Sequence, residues 1–438
     1  MAPRVDRLPP DESQPAESEV VVIGGGIIGV AAALTLAERG VPVTLCEKGH
    51  VAGEQSSRNW GWCRQQGRDP REIPLIVESL TLWRGMNQRI GAETGFTTCG
   101  VVYLESSDAG LAARERWLAE AKRYQLDSRL LSAAETAALL PGAAVPFKGA
   151  LYTPSDGRAE PTMAAPAMAT AARAKGARIL EHCAVRGLEL EGGKDAAVVT
   201  EKGRIRCRAA ILAGGAWSSL FLRNLGVRLP QLTTRSPVLR TEPFEGPAPS
   251  AAGHGFAFRK RRDGGYTIAH GDWTLPEIVP DSFRYFFDFL PLLRAERKGV
   301  KLRFGREFFR EWSWKKRWRL DEPTAFEAVR TLDPAPQPWV LETALKNLTA
   351  AFPAFAGIKV AESWAGMIDT TPDVVPVISP VDALPGLTLA SGFSGHGFGI
   401  GPAAGQLAAD LATGRTPLVD PEPFRFSRFS DGTKPRPW

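Results

Sequence analysis

Apolar positions in this chain come in short unbroken runs. Val20–Ile23 is a four-residue β-branched run with no polar alternation, the pattern of a strand covered on both faces. Three glycines follow, and residues 27–39 then read as a helix that Gly40 is placed to end. Residues 41–47 read as a second strand, which completes a βαβ unit. Further parallel-strand candidates lie far downstream, at Arg178–Leu180, Ala209–Leu212 and 387–390, the last followed by a glycine cluster and a helical pattern over 402–411. The stretches between are richer in aromatics, charge and proline. The alternation predicts an α/β chain: a Rossmann-type nucleotide domain interrupted by a second α+β domain with an antiparallel sheet. We assign 19–85, 149–229 and 362–418 to the nucleotide domain and 86–148 and 230–361 to the second. Residues 1–18 are polar and proline-rich and read as a disordered tail, and 419–438 as a C-terminal tail.

Composition narrows the picture only a little. The 438 residues are 44% hydrophobic and 23% charged, with a net charge of +6, ordinary for a globular protein of two or three domains. The five cysteines are scattered, with no C-x-x-C pair, which argues against disulfide scaffolds and zinc ribbons and for a cytoplasmic protein. Five dispersed histidines suggest no metal site. The apolar segment from Val20 onward is about long enough to span a bilayer, but its glycines make it strand, turn and helix instead.

The chemistry sits first in Gly24-x-Gly26-x-x-Gly29, between strand and helix. Gly24 permits the tight turn, Gly26 lets the backbone approach a pyrophosphate, and Gly29 lets the helix pack on the strand. The helix start supplies N–H groups and partial positive charge. Glu47, ending the second strand, is placed to accept from a ribose diol. Two more segments favour an extended FAD over NAD: Gly53-Glu54-Gln55-Ser56-Ser57-Arg58, whose hydroxyls and arginine can hold pyrophosphate and ribityl groups, and the small-residue turn in Leu212-Ala213-Gly214-Gly215-Ala216-Trp217-Ser218.

With the glycine cluster of 391–401, these segments resemble the D-amino-acid-oxidase superfamily of FAD amine oxidases, which includes glycine and sarcosine oxidases and D-amino-acid dehydrogenases. Within it, AGEQSSR (52–58), LWRGMNQRIGAETGF (82–96), CAVRG (183–187), LAGGAWSSLF (212–221), IGPAAGQLAAD (400–410) and VDPEPFRFSRF (419–429) resemble the bacterial membrane-bound L-amino-acid deaminases. The residues expected on a non-covalently held FAD are then Gly24, Gly26, Ile27, Ile28 and Gly29; Glu47 and Lys48; Gln55, Ser56, Ser57 and Arg58; Val185; Gly214 and Trp217; Gly366; and Gly397, Phe398, Gly399 and Ile400.

Departures from the resemblance matter too. The deaminases begin with a membrane-spanning helix where this chain has a polar tail. Oxidases and dehydrogenases of the D type place an arginine shortly after a W-x-G segment. Here Trp364-Ala365-Gly366 is followed by Met367 and Ile368. The deaminases use an arginine in an F-R segment ahead of a D-G-x-Y turn, which Phe258-Arg259 and Asp263-Gly264-Gly265-Tyr266 match. Arg259 is therefore expected to clamp a substrate carboxylate, with His396, Tyr266, Gln66 and Trp364 around it. His396 replaces a bulky aromatic of the deaminases. Trp60, Trp62, Arg64 and Gln65 are further wall candidates. The cation–aromatic run 301–320 reads as an amphipathic element with its aromatics inward.

The expected reaction is oxidative deamination of an L-amino acid to a 2-keto acid and ammonia, with dioxygen as electron acceptor and hydrogen peroxide as product. The flavin carries the chemistry, so no acid–base dyad or metal is required. The partners expected are an amino acid and dioxygen, without nucleic acid, in a possible homo-oligomer. Rival readings are oxidation of D-amino acids, imino acids or N-methyl amines, a tRNA-modifying flavoprotein, and a peripheral membrane dehydrogenase that reduces quinone.

Overall fold

In the computed structural model, which describes residues 2–9, 13–191, 194–434 and 436–438, the βαβ start opens a six-stranded sheet. Its strands are β1 (Val20–Ile23), β2 (Val43–Cys46), β3 (Arg178–Leu180), β4 (Ala209–Leu212), β5 (Val377–Pro380) and β6 (Leu387–Ser391), in spatial order β5-β6-β4-β1-β2-β3. All neighbours run parallel except β5, which adds antiparallel to the edge at β6. The sequence reading missed β5. Alternation along β1 divides two cores. Val20 and Val22 face helices α1 (Ile27–Glu38), α2 (Ile73–Ile90), α3 (Pro161–Ala174) and α4 (Gly397–Ala412). Val21 and Ile23 face a three-stranded antiparallel sheet over 185–206, through Leu188, Val198 and Ile205. Both faces are thus covered, which is why the strands read as continuous apolar runs.

The interrupting domain is built on a nine-stranded sheet, antiparallel except where Ser250–Gly253 pairs parallel to Val101–Glu105. The α/β architecture with a second, mainly antiparallel sheet is the one expected, but two boundaries move. Gly149–Thr153 and Val360–Thr370 belong to the second sheet, the latter paired along its length with Leu232–Thr241. Helix Pro338–Ala351 covers the sheet through an aromatic core that holds Phe256, Phe258, Tyr266, Phe352 and Phe355.

Both tails are ordered where described. Val5 is buried in the helical core, and the Asp6 N–H donates to the Thr162 carbonyl at 3.2 Å, so around Val5 the N-terminal segment packs on the fold: a single apolar residue finds a site. Residues 1 and 10–12 lie outside the described residues. At the other end Phe424 is buried in the same core, and Arg428 pairs with buried Asp373 at 3.0 Å.

The run 301–320 also departs from expectation. Phe304, Phe309 and Trp312 are 62%, 64% and 69% exposed. Helix Arg306–Ser313 turns Glu307 and Arg310 inward instead, where Glu307 pairs with Arg235 and Arg310. Only Trp314 and Trp318 pack inward, against Trp217 and Phe326. Among the described residues no helix is long and apolar enough to cross a membrane.

Candidate functional site

A cleft opens at the carboxyl edge of the parallel strands, where doubly wound sheets bind nucleotides. It is walled by Gly24–Gly26 after β1, Glu47 and Lys48 after β2, and Ala213–Trp217 after β4. The glycine turn has the predicted geometry. Gly24 has φ +110°, and a Cβ on it would meet the Ala213 carbonyl oxygen at 2.4 Å. At Gly29 a Cβ would lie 2.0 Å from the Gly24 oxygen, which shows how closely α1 sits on the turn. At Gly26 it would meet only the Ser56 hydroxyl, at 3.1 Å. That leaves the helix N-terminus open to an anionic group.

The carboxylate of Glu47 accepts from the Gly25 and Gly49 N–H groups, both at 2.7 Å. Burial pushes its pKa above the usual carboxylate range, against the pull of Lys48 and the two amides. Lys48 and Trp217 line the cleft but are already engaged. The Lys48 ammonium donates to Glu54 at 2.6 Å and to the carbonyls of Val329 and Arg330 at 2.8 and 3.0 Å. Glu54 also accepts from the Trp217 indole and from the Leu332 N–H. Sequence reasoning gave Glu54 no role, since it sits inside a segment noticed for its hydroxyls.

The helical turn Gln55–Arg58 divides its residues. Gln55 and Ser56 face the cleft, and the Ser56 hydroxyl accepts the Ile27 N–H at 2.8 Å. Ser57 and Arg58 do not face it, contrary to expectation, because the helical turn points them away. Ser57 lines a separate cavity. The fully buried Arg58 guanidinium is spent on Asp333 at 2.6 Å and on the carbonyls of Gly53 and Ala365. Ile28 and Ile400 are core residues on α1 and α4. Val185 and Gly214 line the cleft. Gly366 lies against Gln55, whose Oε1 would be 1.9 Å from a Cβ there.

Gln55 also lines a second cavity, of about 980 Å³. Its Oε1 is buried with no hydrogen-bond partner among the described residues. An orphaned acceptor at the junction of the two spaces, beside a turn open to phosphate, fits a long dinucleotide whose ring end reaches the larger cavity. The walls there include Trp60, Trp62, Arg64, Ile368, His396 and Phe398.

Most residues expected on the substrate are elsewhere. The Arg259 guanidinium is 1% exposed and grips Glu160 with both terminal nitrogens, at 2.8 and 3.0 Å. Its Nε donates to the Trp60 carbonyl. A clamp already closed on a protein carboxylate has no face left for a substrate, so Arg259 is a structural ion pair in this fold. Glu160, buried but beside Arg259, is held at about 2. Tyr266 is buried in the aromatic core and donates to the Pro247 carbonyl at 2.7 Å. The indole of Trp364 donates to the Arg58 carbonyl at 3.1 Å, away from the large cavity. The side chain of Gln66 accepts from Thr153 at 2.9 Å, and Gln65 turns to Ser155 at 2.7 Å. Of the substrate set, His396 alone lines the large cavity. Its Nδ1 lies 2.9 Å from Oε2 of Glu72, which is wholly buried and was not singled out from the sequence. Cys63 is fully buried, and burial holds its thiol well above the ordinary range.

Comparison with known proteins agrees with the fold. Residues 19–411 match the family model described as FAD dependent oxidoreductase. Glycine oxidase of Pseudomonas putida is 27% identical over 93% of this chain and 97% of its own length. The solved L-amino acid deaminase of Proteus myxofaciens, in complex with anthranilate, is 35% identical with a TM-score of 0.95, over 98% of both chains. That of Proteus vulgaris is 33% identical with a TM-score of 0.92, over 97% of this chain and all of its own. With a nucleotide cleft at the strand ends and a family match across nearly its whole folded length, the chain belongs to the FAD-dependent oxidoreductases of the D-amino-acid-oxidase superfamily.

Proposed function

We propose that the protein oxidises L-amino acids to 2-keto acids and ammonia. The carrying observation is the junction at Gln55, where the nucleotide cleft meets a cavity that offers a cation, an apolar side chain and an aromatic wall to one small substrate. FAD held in the cleft would supply the hydride acceptor for the substrate Cα. The chain's part is to orient and to desolvate. Arg64 takes the role that Arg259 cannot. One of its nitrogens is held by the Gln66 carbonyl and its guanidinium lies 5.6 Å from the Tyr103 ring centroid, which leaves the rest of the fork for a carboxylate. Ile368 puts an apolar side chain where D-type relatives carry an arginine. The likeness to two L-amino acid deaminases supports the same handedness. We place the reaction in the cytoplasm, consistent with five free thiols, with non-covalent FAD and with dioxygen as acceptor.

The test is anaerobic mixing of the yellow protein with separate L- and D-amino acids, followed on the flavin's visible band, then readmission of air with a peroxide assay. Bleaching by L-isomers and prompt peroxide release is the expected result. Bleaching by D-isomers or sarcosine alone overturns the handedness.

One observation favours a second acceptor. Phe283, Phe287, Phe309 and Trp312 are each more than 60% exposed, in the segment that also carries Arg284, Lys316 and Arg317. Such a surface suits anionic lipid, and electrons would then pass to a membrane carrier. Co-sedimentation with anionic vesicles together with slow reoxidation in air favours this reading over the oxidase.

A further inference from the structure

We propose that His396 is the proton acceptor for the substrate's ammonium group, with Glu72 as the positioning residue that keeps Nε2 free to receive it. This rests on the amino-acid reading above. An ammonium cannot release hydride from its Cα until its nitrogen lone pair is free. One N–H bond of the ammonium therefore breaks and an Nε2–H bond forms on the imidazole, with no electrons exchanged.

The geometry fixes the ring from several sides. His396 immediately precedes α4, its N–H donates to the Phe393 carbonyl at 2.7 Å, and its own carbonyl accepts from Arg68 at 3.2 Å. Nδ1 faces the Glu72 carboxylate at 2.9 Å. Glu72 is wholly buried, and the Arg68 guanidinium 3.7 Å from its Oε2 pairs it as a carboxylate. An ionised carboxylate only accepts, so Nδ1 must carry the proton. Nε2 is then a lone pair, and no protein partner for it exists among the described residues. His396 lines the large cavity with Ile368, Gly395 and Phe398. A lone pair recognises a donor, which selects the amine end of an amino acid, while Arg64 suits the carboxylate end.

The ring must be neutral at rest. Burial pushes the His396 pKa below its ordinary value, and Glu72 only partly reverses this. The other charged groups facing the ring, Arg68 and Arg64, act in the same direction as burial, as does the α4 N-terminus. Once the proton arrives, Glu72 is in place to pair with the imidazolium.

The experiment compares wild-type holoenzyme with His396→Gln and Glu72→Gln. Anaerobic flavin reduction by an L-amino acid is measured against pH, and benzoate, a carboxylate without an amine, is titrated by its perturbation of the flavin spectrum. For His396→Gln, reduction at neutral pH is expected to fall by roughly 10²-fold or more and to recover toward alkaline pH as the substrate deprotonates itself, with benzoate affinity unchanged. For Glu72→Gln the acid limb of the profile is expected to move to lower pH, because the ring loses its anionic neighbour; a merely structural role would not move it. In nitrogen NMR of histidine-labelled protein, the signals lost in His396→Gln should report an Nδ1–H tautomer. An unchanged pH profile in His396→Gln, or an Nε2–H tautomer, overturns the proposal and leaves the amino-acid reading standing. If no α-amino acid bleaches the wild-type flavin, the reading itself fails and the proposal with it.

Discussion

Arg259 and Glu160 show how a partner distant in sequence changes a residue's meaning. An arginine after a phenylalanine and before a glycine turn reads as a clamp, and nothing near it in sequence announces the glutamate about a hundred residues earlier that closes it. Glu54 and Glu72 were illegible for the same reason: a single acid has no pattern, and only the fold gives it neighbours. Replacing Arg259 with Met takes the bidentate partner from a buried carboxylate that keeps only Arg158 and Arg261, at 3.6 and 4.0 Å, and should cost about 3 kcal/mol of stability. Adding Glu160→Gln to Arg259→Met should recover part of that loss. Calorimetry on both variants checks this; a raised KM with an unchanged melting temperature would return Arg259 to the substrate. The pair also has a pH signature. The Glu160 pKa falls from 4.5 to about 2 on folding, so its stabilisation is present above the unfolded value and is lost as pH drops through that window. Acid unfolding should therefore begin at higher pH in Glu160→Gln than in the wild type, where the wild-type pair still holds.

Secondary elements were legible wherever burial alone shaped them. The parallel strands of the first sheet read as apolar runs because both faces are covered, and the glycine turn was legible because Gly29 answers to the Gly24 carbonyl within one unit, although Gly24 itself meets the distant Ala213. Val360–Thr370 was misassigned since its half-buried pattern fits either sheet, and only its pairing with Leu232–Thr241 decides. The helices make their own demands. At Gly405 on α4, a Cβ would lie 2.5 Å from the Ala31 Cβ and 2.6 Å from the Ala32 nitrogen on α1. Gly405→Val should cost about 2–3 kcal/mol and lower the flavin content, because α4 carries Phe398 in its first turn and His396 immediately precedes it. Melting temperatures at limiting and saturating FAD separate the two effects: excess FAD should recover part of the loss, and a melting temperature equal to the wild type's would show that the helices can part freely.

At the scale of the whole molecule, the tails are parts of the fold. Arg428 holds buried Asp373 with two contacts, at 3.0 and 3.2 Å, and reaches the Val375 carbonyl at 2.7 Å. Arg428→Ala should cost about 3–5 kcal/mol, measured by denaturant unfolding; a change below about 1 kcal/mol would mean the C-terminal segment is only laid on the surface. The exposed aromatics were illegible as such, because a cation–aromatic run has the same composition whichever face it turns outward. Val360–Thr370 has a consequence for motion. It is zipped to Leu232–Thr241 in the second sheet, and its last residue bridges to Phe393 in the loop before α4. One strand is therefore riveted to both bodies of the protein, and the frame has no hinge there about which to gape. Traffic of substrate and product should run through a standing portal while the frame stays still, and small-angle scattering should give the same envelope with and without a bound carboxylate.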